Sequence, residues 1–186
     1  MPDPVPADLA QALARIEALE ARVANQEHKD GFTLLVFSGE LDRLLAAFTV
    51  AVGAAACGMR VSMFFNFWGV AGLKKSGPQA RPKSLVERMF GWLLPGGLSR
   101  RPLSRLDMAG IGRAIVAREM RPKQISDLPT LIQMAADSGV EILLCDMSMG
   151  LMGIREEEII DYPGRRQCGV AHFVDLSASS HTTLFI

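Results

Sequence analysis

The chain has 186 residues, 49% of them apolar, and a formal net charge of zero, which indicates one domain with a buried core and argues against a disordered or fibrous protein. Its 20 basic and 20 acidic residues cancel, so no global charge attracts nucleic acid, and nucleic acid is not expected as a partner. Three cysteines without a CxxC spacing argue against a disulfide framework, and no signal peptide is visible, so we expect a cytoplasmic protein.

Residues 7–28 have the spacing of a short coiled-coil helix. Apolar side chains recur at its a and d positions: Leu9, Ala12, Ile16, Leu19 and Val23. About three heptads are marginal in isolation, so the helix either docks on its own domain or joins subunits. We expect residues 1–30 to form a helical arm for self-association.

A strand, a helix and a second strand are predicted next. Residues 32–37 are a continuous apolar run, typical of a strand buried on both faces of a parallel sheet. Residues 40–57 are predicted to form a helix and residues 60–65 the second strand. Because the carboxyl ends of parallel strands meet at one edge, Ser38 and the loop 66–69 should lie together.

A membrane-spanning alternative applies to the uncharged stretch 44–59. Its 16 residues fall short of the roughly 20 that a spanning helix needs. Alanine and glycine are frequent in it, so we expect a buried helix that leads into a buried strand.

Residues 70–126 are predicted to be an insertion over the sheet edge, either a lid or a docking hairpin. Prolines and a Gly-Gly pair interrupt it, and Ser84 with Glu87 has the capping-box spacing that begins a helix over 85–94. Between residues 74 and 105 there are eight basic residues and one acidic residue. This segment is either solvated surface or a contact for an anionic membrane or an acidic protein.

Three more strands are predicted in the rest of the chain. The elements are helix 128–138, strand 140–144, helical segments 147–153 and 156–160, strand 169–174 and a final edge strand 182–186. Five strands separated by helices are typical of an open, mostly parallel, flavodoxin-like α/β sheet with helices on both faces. We expect this domain to cover residues 31–186.

Cys145 is the candidate reactive residue because it ends a predicted strand and precedes a helical segment. The positive end of a helix dipole and free backbone N–H groups favour the thiolate, which is the reactive form. Asp146 opposes that charge, whereas Ser148 is placed to donate a hydrogen bond to it. A buried structural role is an equally common fate of a free cysteine. The residues alone leave open whether Cys145 is reactive or structural.

The other two cysteines are weaker candidates than Cys145. Cys57 ends an Ala-rich helix and should pack in the core. Cys168 precedes the strand predicted over 169–174, which places it at the sheet edge opposite Cys145. A resolving role would then require an oligomer to bring the two thiols together.

The histidines and the first turn predict neither a metal nor a cofactor. His172 lies inside a predicted strand, and no His, Cys and Asp spacing resembles a zinc site or a catalytic triad. The Ser38-Gly39 turn lacks the glycine pattern of phosphate-binding loops.

Several segments resemble the DsrE/DsrF-like sulfur-relay family, in the subgroup often labelled peroxiredoxin-like. They are Met63–Gly69, Arg88–Pro95, Cys145–Met149 with Met152–Ile154, and Gly169–Ala171. The segment that contains Cys145 is the most specific of them. The resemblance covers residues 32–186, and the amino-terminal helix falls outside it. Where the subgroup often has glycine or a similar small residue before Gly169, this chain has Cys168, so the resemblance leaves a second thiol role open.

The resemblance implies a flavodoxin-like fold, homo- or hetero-oligomers, and a sulfur carrier or sulfurtransferase that holds sulfane sulfur as a persulfide on Cys145. A TusA-like carrier protein would donate or accept the sulfur. This reading expects Cys145 at the mouth of the sheet, within reach of that partner. The candidate pocket comprises Ser38, Asn66, Phe67, Trp68, Asp146, Met147 and Ser148.

Two rival readings remain at this stage. One is a non-enzymatic oligomeric adaptor that docks through the amino-terminal helix and the insertion, with Cys145 as inert packing. The other is a flavin or nucleotide protein. No peroxidatic Thr-x-x-Cys pattern is present, so peroxidase activity is not expected.

Overall fold

The computed structural model describes residues 7–27, 30–94, 96–98 and 101–186. The chain divides into two units, residues 1–30 and 31–186. In the first unit a single helix, α1 (Ala7–Glu27), has the predicted a and d residues Leu9, Ile16 and Leu19 each about half exposed. The side chain of Val23, and the whole of His28, lie outside the described residues.

A five-stranded sheet forms the centre of the second unit. Its strands are β1 (Gly31–Val36), β2 (Arg60–Phe65), β3 (Glu141–Cys145), β4 (Arg165–Cys168) and β5 (Thr182–Phe185). The order across the sheet is β4-β3-β2-β1-β5, and every neighbouring pair is parallel. The predicted flavodoxin-like α/β class is confirmed. Strands β1 to β4 follow one another toward one edge of the sheet, whereas β5 lies on the other side of β1. The strand order therefore reverses between β1 and β5, and β3 lies two strands away from β1.

Two helices cover one face of this sheet and a third covers the other, and the described part of this unit contains further helices around them. In chain order the helices are α2 (Leu41–Ala56), α3 (Trp68–Gly72), α4 (Leu85–Leu93), α5 (Ile111–Met120), α6 (Leu128–Asp137), α7 (Asp146–Met152) and α8 (Val170–Ser179), with short 3₁₀ turns at Met108–Gly110 and Glu156–Glu158. Helices α2 and α6 bury apolar side chains at helical spacing against one face, such as Leu44 and Phe48 of α2. Phe173 and Leu176 of α8 pack on the other face.

Alternation along β3 divides its side chains between these two faces. Ile142 and Leu144 belong to the large core beneath α2 and α6. Leu143 and Cys145 belong to a smaller cluster beneath α8, together with Phe64 of β2. Because successive side chains of a strand point to opposite faces, the position of Cys145 in β3 places its thiol under α8.

The prediction of a strand over residues 169–174 is wrong. Residues 170–179 are helix α8, and the fourth strand lies just before it at Arg165–Cys168. A short apolar run has no periodicity that separates a strand from a buried helix. The true strand is polar because it is an edge strand, so apolarity could not reveal it. The edge strand predicted over 182–186 is present as β5.

The insertion contains a capped helix and is anchored to the domain by a buried ion pair. Ser84 and Glu87 form the predicted capping box at the start of α4, with the Glu87 N–H donating to Ser84 Oγ at 3.2 Å. Lys83 Nζ lies 2.6 Å from Glu158 Oε2, and both side chains are almost completely buried. Within the described ranges, no helix has both the length and the apolarity to cross a membrane.

Candidate functional site

Cys145 is the last residue of β3 and stands directly before the first residue of α7. Its thiol is free, and 0% of the residue is exposed. This burial differs from the expectation of a thiol open to a partner at the mouth of the sheet. The reason is that a helix, α8, lies where the sequence predicts a strand, and this helix packs on the face that Cys145 occupies.

Cys168 is the last residue of β4 and pairs in register with Cys145. Registered residues of parallel strands project to the same face, and both cysteines contact the cluster beneath α8. The prediction that Cys168 lies at the opposite edge is wrong, because the strand precedes it in the chain instead of following it. The structure therefore places two free thiols side by side at the carboxyl edge of the sheet.

The surroundings of Cys168 disfavour its thiolate. Burial raises the pKa of the Cys168 thiol, and the groups at Asp146, Cys145 and Glu141 raise that pKa further. Arg166, two residues earlier on β4, lowers it through its positive charge. At neutral pH, Cys168 is therefore thiol to a greater extent than a free cysteine in water.

Ser148 is buried and joins α7 to the loop after β2. Its hydroxyl accepts a hydrogen bond from the Phe67 N–H at 3.0 Å and donates to Asn66 Oδ1 at 2.5 Å. A hydroxyl has one proton to donate, and the Ser148 hydroxyl donates it in the hydrogen bond to Asn66 Oδ1. The predicted hydrogen bond from Ser148 to a thiolate at Cys145 is therefore not formed.

The loop after β2 is held tightly against the end of β1. Phe67 has φ 42° and ψ −119°, a conformation that side chains other than glycine rarely adopt. The N–H of Gly69 donates to the Phe37 carbonyl at 2.8 Å, and a Cβ at Gly69 would lie 2.2 Å from the Val36 carbonyl oxygen. Only glycine fits at this point of close approach between the two strand ends.

The seven residues of the predicted pocket border more than one surface. Asn66, Phe67 and Ser148 bond to one another, Asp146 and Met147 are exposed at the start of α7, Trp68 borders a separate cavity of about 440 Å³, and Ser38 is half-buried after β1. Asp146 accepts a hydrogen bond from the Met147 N–H at 2.6 Å. All seven lie near strand ends at the carboxyl edge, yet Trp68 faces the insertion through its cavity.

Sequence reasoning missed Cys168 as a neighbour of the candidate cysteine. Two signals for a helix were available. Gly169 is typical of a helix start, and Phe173 and Leu176 are three positions apart, as on an apolar helix face. A helix beginning at residue 170 places the preceding strand, and hence Cys168, at the carboxyl edge.

Histidine and carboxylate side chains form no metal site in the part of the chain that the structure describes, where no group of three potential ligands is found. His172 lies on α8 and not in a strand. Its Nε2 is 3.0 Å from the Arg166 guanidinium, so the imidazole has a polar neighbour of its own.

The structure thus defines a parallel α/β domain that presents paired free thiols at the ends of two adjacent strands. A sequence model described as the DsrE/DsrF/DrsH-like family matches residues 28–185, and the protein belongs to this family. The resemblance seen in the sequence is confirmed.

Two curated proteins are similar to this chain over most of their length. The uncharacterized protein YrkE of Bacillus subtilis is 35% identical over 154 residues, which cover 83% of this chain and 95% of YrkE. The sulfur carrier protein DsrE2 of Allochromatium vinosum is 27% identical over 157 residues, covering 82% and 96% of the two chains. The crystal structure of YchN from E. coli matches 84% of this chain and 99% of YchN, with a TM-score of 0.49 and 12% identity.

Proposed function

We propose that this protein is a cytoplasmic sulfur carrier that holds sulfane sulfur as a persulfide on Cys145 and exchanges it with a partner carrier protein of the TusA-like type. The observation on which the proposal rests is the free Cys145 thiol at the end of a central strand. Membership of the DsrE/DsrF/DrsH-like family supports it, as does the relative named a sulfur carrier protein.

The chemistry is thiol exchange with one additional sulfur atom. The Cys145 thiolate attacks the outer sulfur of a donor persulfide, a new S–S bond forms, and the donor leaves as a thiolate. The partner thiolate then attacks the outer sulfur held on Cys145 and removes it in the same way. No metal, flavin or net oxidant is needed, because the sulfur moves between thiols without a change in the total number of electrons.

Burial gives the carrier a protected form of the sulfur. With Cys145 enclosed by Phe64 and Leu143, a persulfide there would be shielded from water and small thiols. Loading and unloading must then involve the residues that border the thiols, namely the first turn of α7 with Asp146 and Met147 exposed, and the strand end at Cys168. Because the Cys145 thiol is buried, direct attack on it by a partner is less favoured. A local opening of the protein, or a relay of the sulfur through another thiol, is more favoured.

We also propose that the protein forms homo-oligomers. Helix α8 packs on the second sheet face in the described chain, and large apolar side chains on α8 and on the edge strand β5 stay exposed, including Val174 at 56% and Phe185 at 68%. The half-exposed Leu9, Ile16 and Leu19 of α1 add a second apolar surface. Surfaces of this kind mark interaction sites.

Helix α4 is a candidate contact for a membrane surface or a partner. Leu85 and Trp92 are each more than 80% exposed, and Arg81 and Arg88 lie nearby in the chain. Amphipathic helices with basic flanks and a tryptophan bind lipid interfaces. The adaptor reading, in which such contacts are the whole function, is less favoured because it assigns no role to the thiols.

A thiol-specific loading experiment tests the carrier function. The protein is incubated with inorganic polysulfide, alkylated, and digested for mass spectrometry, and a gain of about 32 Da is expected on the Cys145 peptide. Cys57 follows the last residue of α2 and is exposed, so the prediction that it packs in the core is wrong. Cys57→Ser removes this distant thiol and should leave the gain on Cys145 unchanged. A parent protein whose Cys145 peptide gains no sulfur, while sulfane sulfur accumulates on its other cysteines, would show that Cys145 is not the carrier.

A further inference from the structure

The second free thiol at the carboxyl edge, Cys168, is placed to act together with Cys145. Their backbones are registered partners on adjacent parallel strands, which lie about 4.8 Å apart. That separation falls within the Cα range of about 4.4–6.8 Å over which two cysteines can form an S–S bond. Both side chains contact the same cluster beneath α8, so the two sulfur atoms are on one side of the sheet.

The two thiols differ in their access to solvent. Cys145 is fully buried, whereas Cys168, on the edge strand, is partly exposed. The Asp146 carboxylate lies near the end of β4, since a Cβ on Gly169 would be 3.9 Å from its Oδ2. A reagent that approaches this edge of the sheet therefore reaches Cys168 before it can reach Cys145.

We propose that Cys168 is a second sulfur-bearing residue, through which sulfane sulfur passes between a persulfide donor and the buried Cys145. This inference rests on the carrier function proposed above and adds a route to it. Cys168 is the entry and exit thiol, and Cys145 is the storage thiol.

The relay consists of two exchange steps that each conserve atoms and electrons. The Cys168 thiolate attacks the outer sulfur of a donor persulfide, and the donor sulfur leaves as a thiolate with the electron pair of the broken S–S bond. The Cys145 thiolate then attacks the outer sulfur now on Cys168. A Cys145–S–SH group forms, and Cys168 is released as a thiolate. Unloading reverses these steps.

A loading time course with inorganic polysulfide tests the relay. All proteins carry Cys57→Ser, so that only Cys145 and Cys168 can gain sulfur. With Cys145→Ser, the gain of about 32 Da should appear on Cys168 and stay there. With Cys168→Ser, loading of Cys145 should slow by about tenfold or more, because the buried thiol must meet polysulfide directly. Gln167→Ser, on the same edge strand, is the matched control and should load at the parent rate.

A second measurement reports the thiol pairing without any sulfur transfer. Diamide, a two-electron oxidant of dithiols, should link Cys145 to Cys168 with a loss of about 2 Da, while the diamide takes up the two hydrogens. Neither cysteine has to be replaced for this test, so it does not depend on the folding of a variant.

The outcomes separate this inference from the carrier function. Loading of Cys145 at the parent rate in Cys168→Ser would overturn the relay and leave the carrier function standing. A Cys145–Cys168 link without any sulfur loading would show that the pair exists but that the carrier function, and the relay with it, is wrong. A failure of diamide to link the two thiols would overturn the relay alone.

Discussion

The hydroxyl of Ser148 lies 2.5 Å from the Asn66 amide oxygen and 3.0 Å from the Phe67 amide nitrogen, and so ties α7 to the loop after β2. These bonds hold the segment that follows Cys145 against a neighbouring strand end. Because Ser148 is fully buried, its loss removes two hydrogen bonds that bulk water does not replace, although the Phe67 N–H still donates to Asn66 Oδ1 at 2.9 Å.

Ser148→Ala should lower the free energy of unfolding by about 1–3 kcal/mol, since it leaves the Phe67 N–H with one fewer acceptor in a buried site. Urea denaturation followed by circular dichroism measures this change. Ser177→Ala is the control, because the Ser177 hydroxyl bonds to Thr183 at an exposed position and its loss should stay within about 0.5 kcal/mol. Equal effects of the two substitutions would contradict a structural role for Ser148.

Gly69→Ala should destabilise the domain strongly, because the added Cβ would lie 2.2 Å from the Val36 carbonyl oxygen, and backbone at that point cannot give way cheaply. A loss of several kcal/mol, or failure to obtain folded protein, is expected. Gly53→Ala is the matched control. A Cβ there meets nothing within 4 Å inside helix α2, so stability should rise by about 0.5–1 kcal/mol. Thermal melts distinguish the two signs.

Glu158→Gln should cost about 3–5 kcal/mol of unfolding free energy, because it removes one partner of the buried Lys83–Glu158 ion pair and leaves a buried ammonium group. Lys123 and Glu119 form an exposed pair, with side chains 62% and 60% exposed, so Glu119→Gln should change stability by less than about 0.5 kcal/mol. Chemical denaturation of the three proteins at neutral pH makes the comparison.

The same carboxylate makes stability depend on acid. Burial alone would raise the pKa of Glu158, but the hydrogen bonds from the Arg155 N–H and Lys83 bring that pKa below its ordinary value. The folded state therefore binds this proton less tightly, and the stabilisation is present above about pH 4.3 and lost as the pH falls through the folded-state value. The stability gap between the parent and Glu158→Gln should narrow below about pH 4. A gap independent of pH would contradict this account.

The pH dependence of Cys168 alkylation should depend on the charged groups around its thiol. Burial and nearby negative groups raise the pKa of this thiol, so its alkylation rate should reach half its maximum above the value of about 8.5 for free cysteine. Arg166→Gln should move that midpoint up, and Asp146→Asn should move it down. Iodoacetamide labelling of the Cys168 peptide across pH measures both shifts. Shifts of the same sign would contradict the assigned surroundings.

Val174→Glu tests the proposed oligomer surface. Val174 lies on α8 with 56% exposure, so a charge there should leave the fold intact but weaken association through this face. Light scattering coupled to gel filtration should show a lower mass than the parent. Val86→Glu, at 58% exposure on α4, places the same charge on a different surface and serves as the control. An unchanged mass for Val174→Glu would exclude this face from the interface.

Local patterns in the sequence were sufficient for the central strands and the caps. Strands β1, β2 and β3 are largely buried on both faces and so are mostly apolar, a signal contained within each segment. The capping box at Ser84 and Glu87 is likewise local, since the two residues are three positions apart. The position of Cys145 at the end of a strand follows from the same local reading.

The tertiary structure decided the polar edge strand β4, the burial of Cys145 and its pairing with Cys168, for which the sequence contained only the indirect signal of a helix start after Gly169. An edge strand needs no apolar side chains, so Arg165–Cys168 lacks the apolar run that would predict a strand. The two cysteines are 23 positions apart and meet through strand register, which backbone hydrogen bonds between separate segments decide. Register and burial are non-local, because each depends on which segments pack together and not on the residues within one of them.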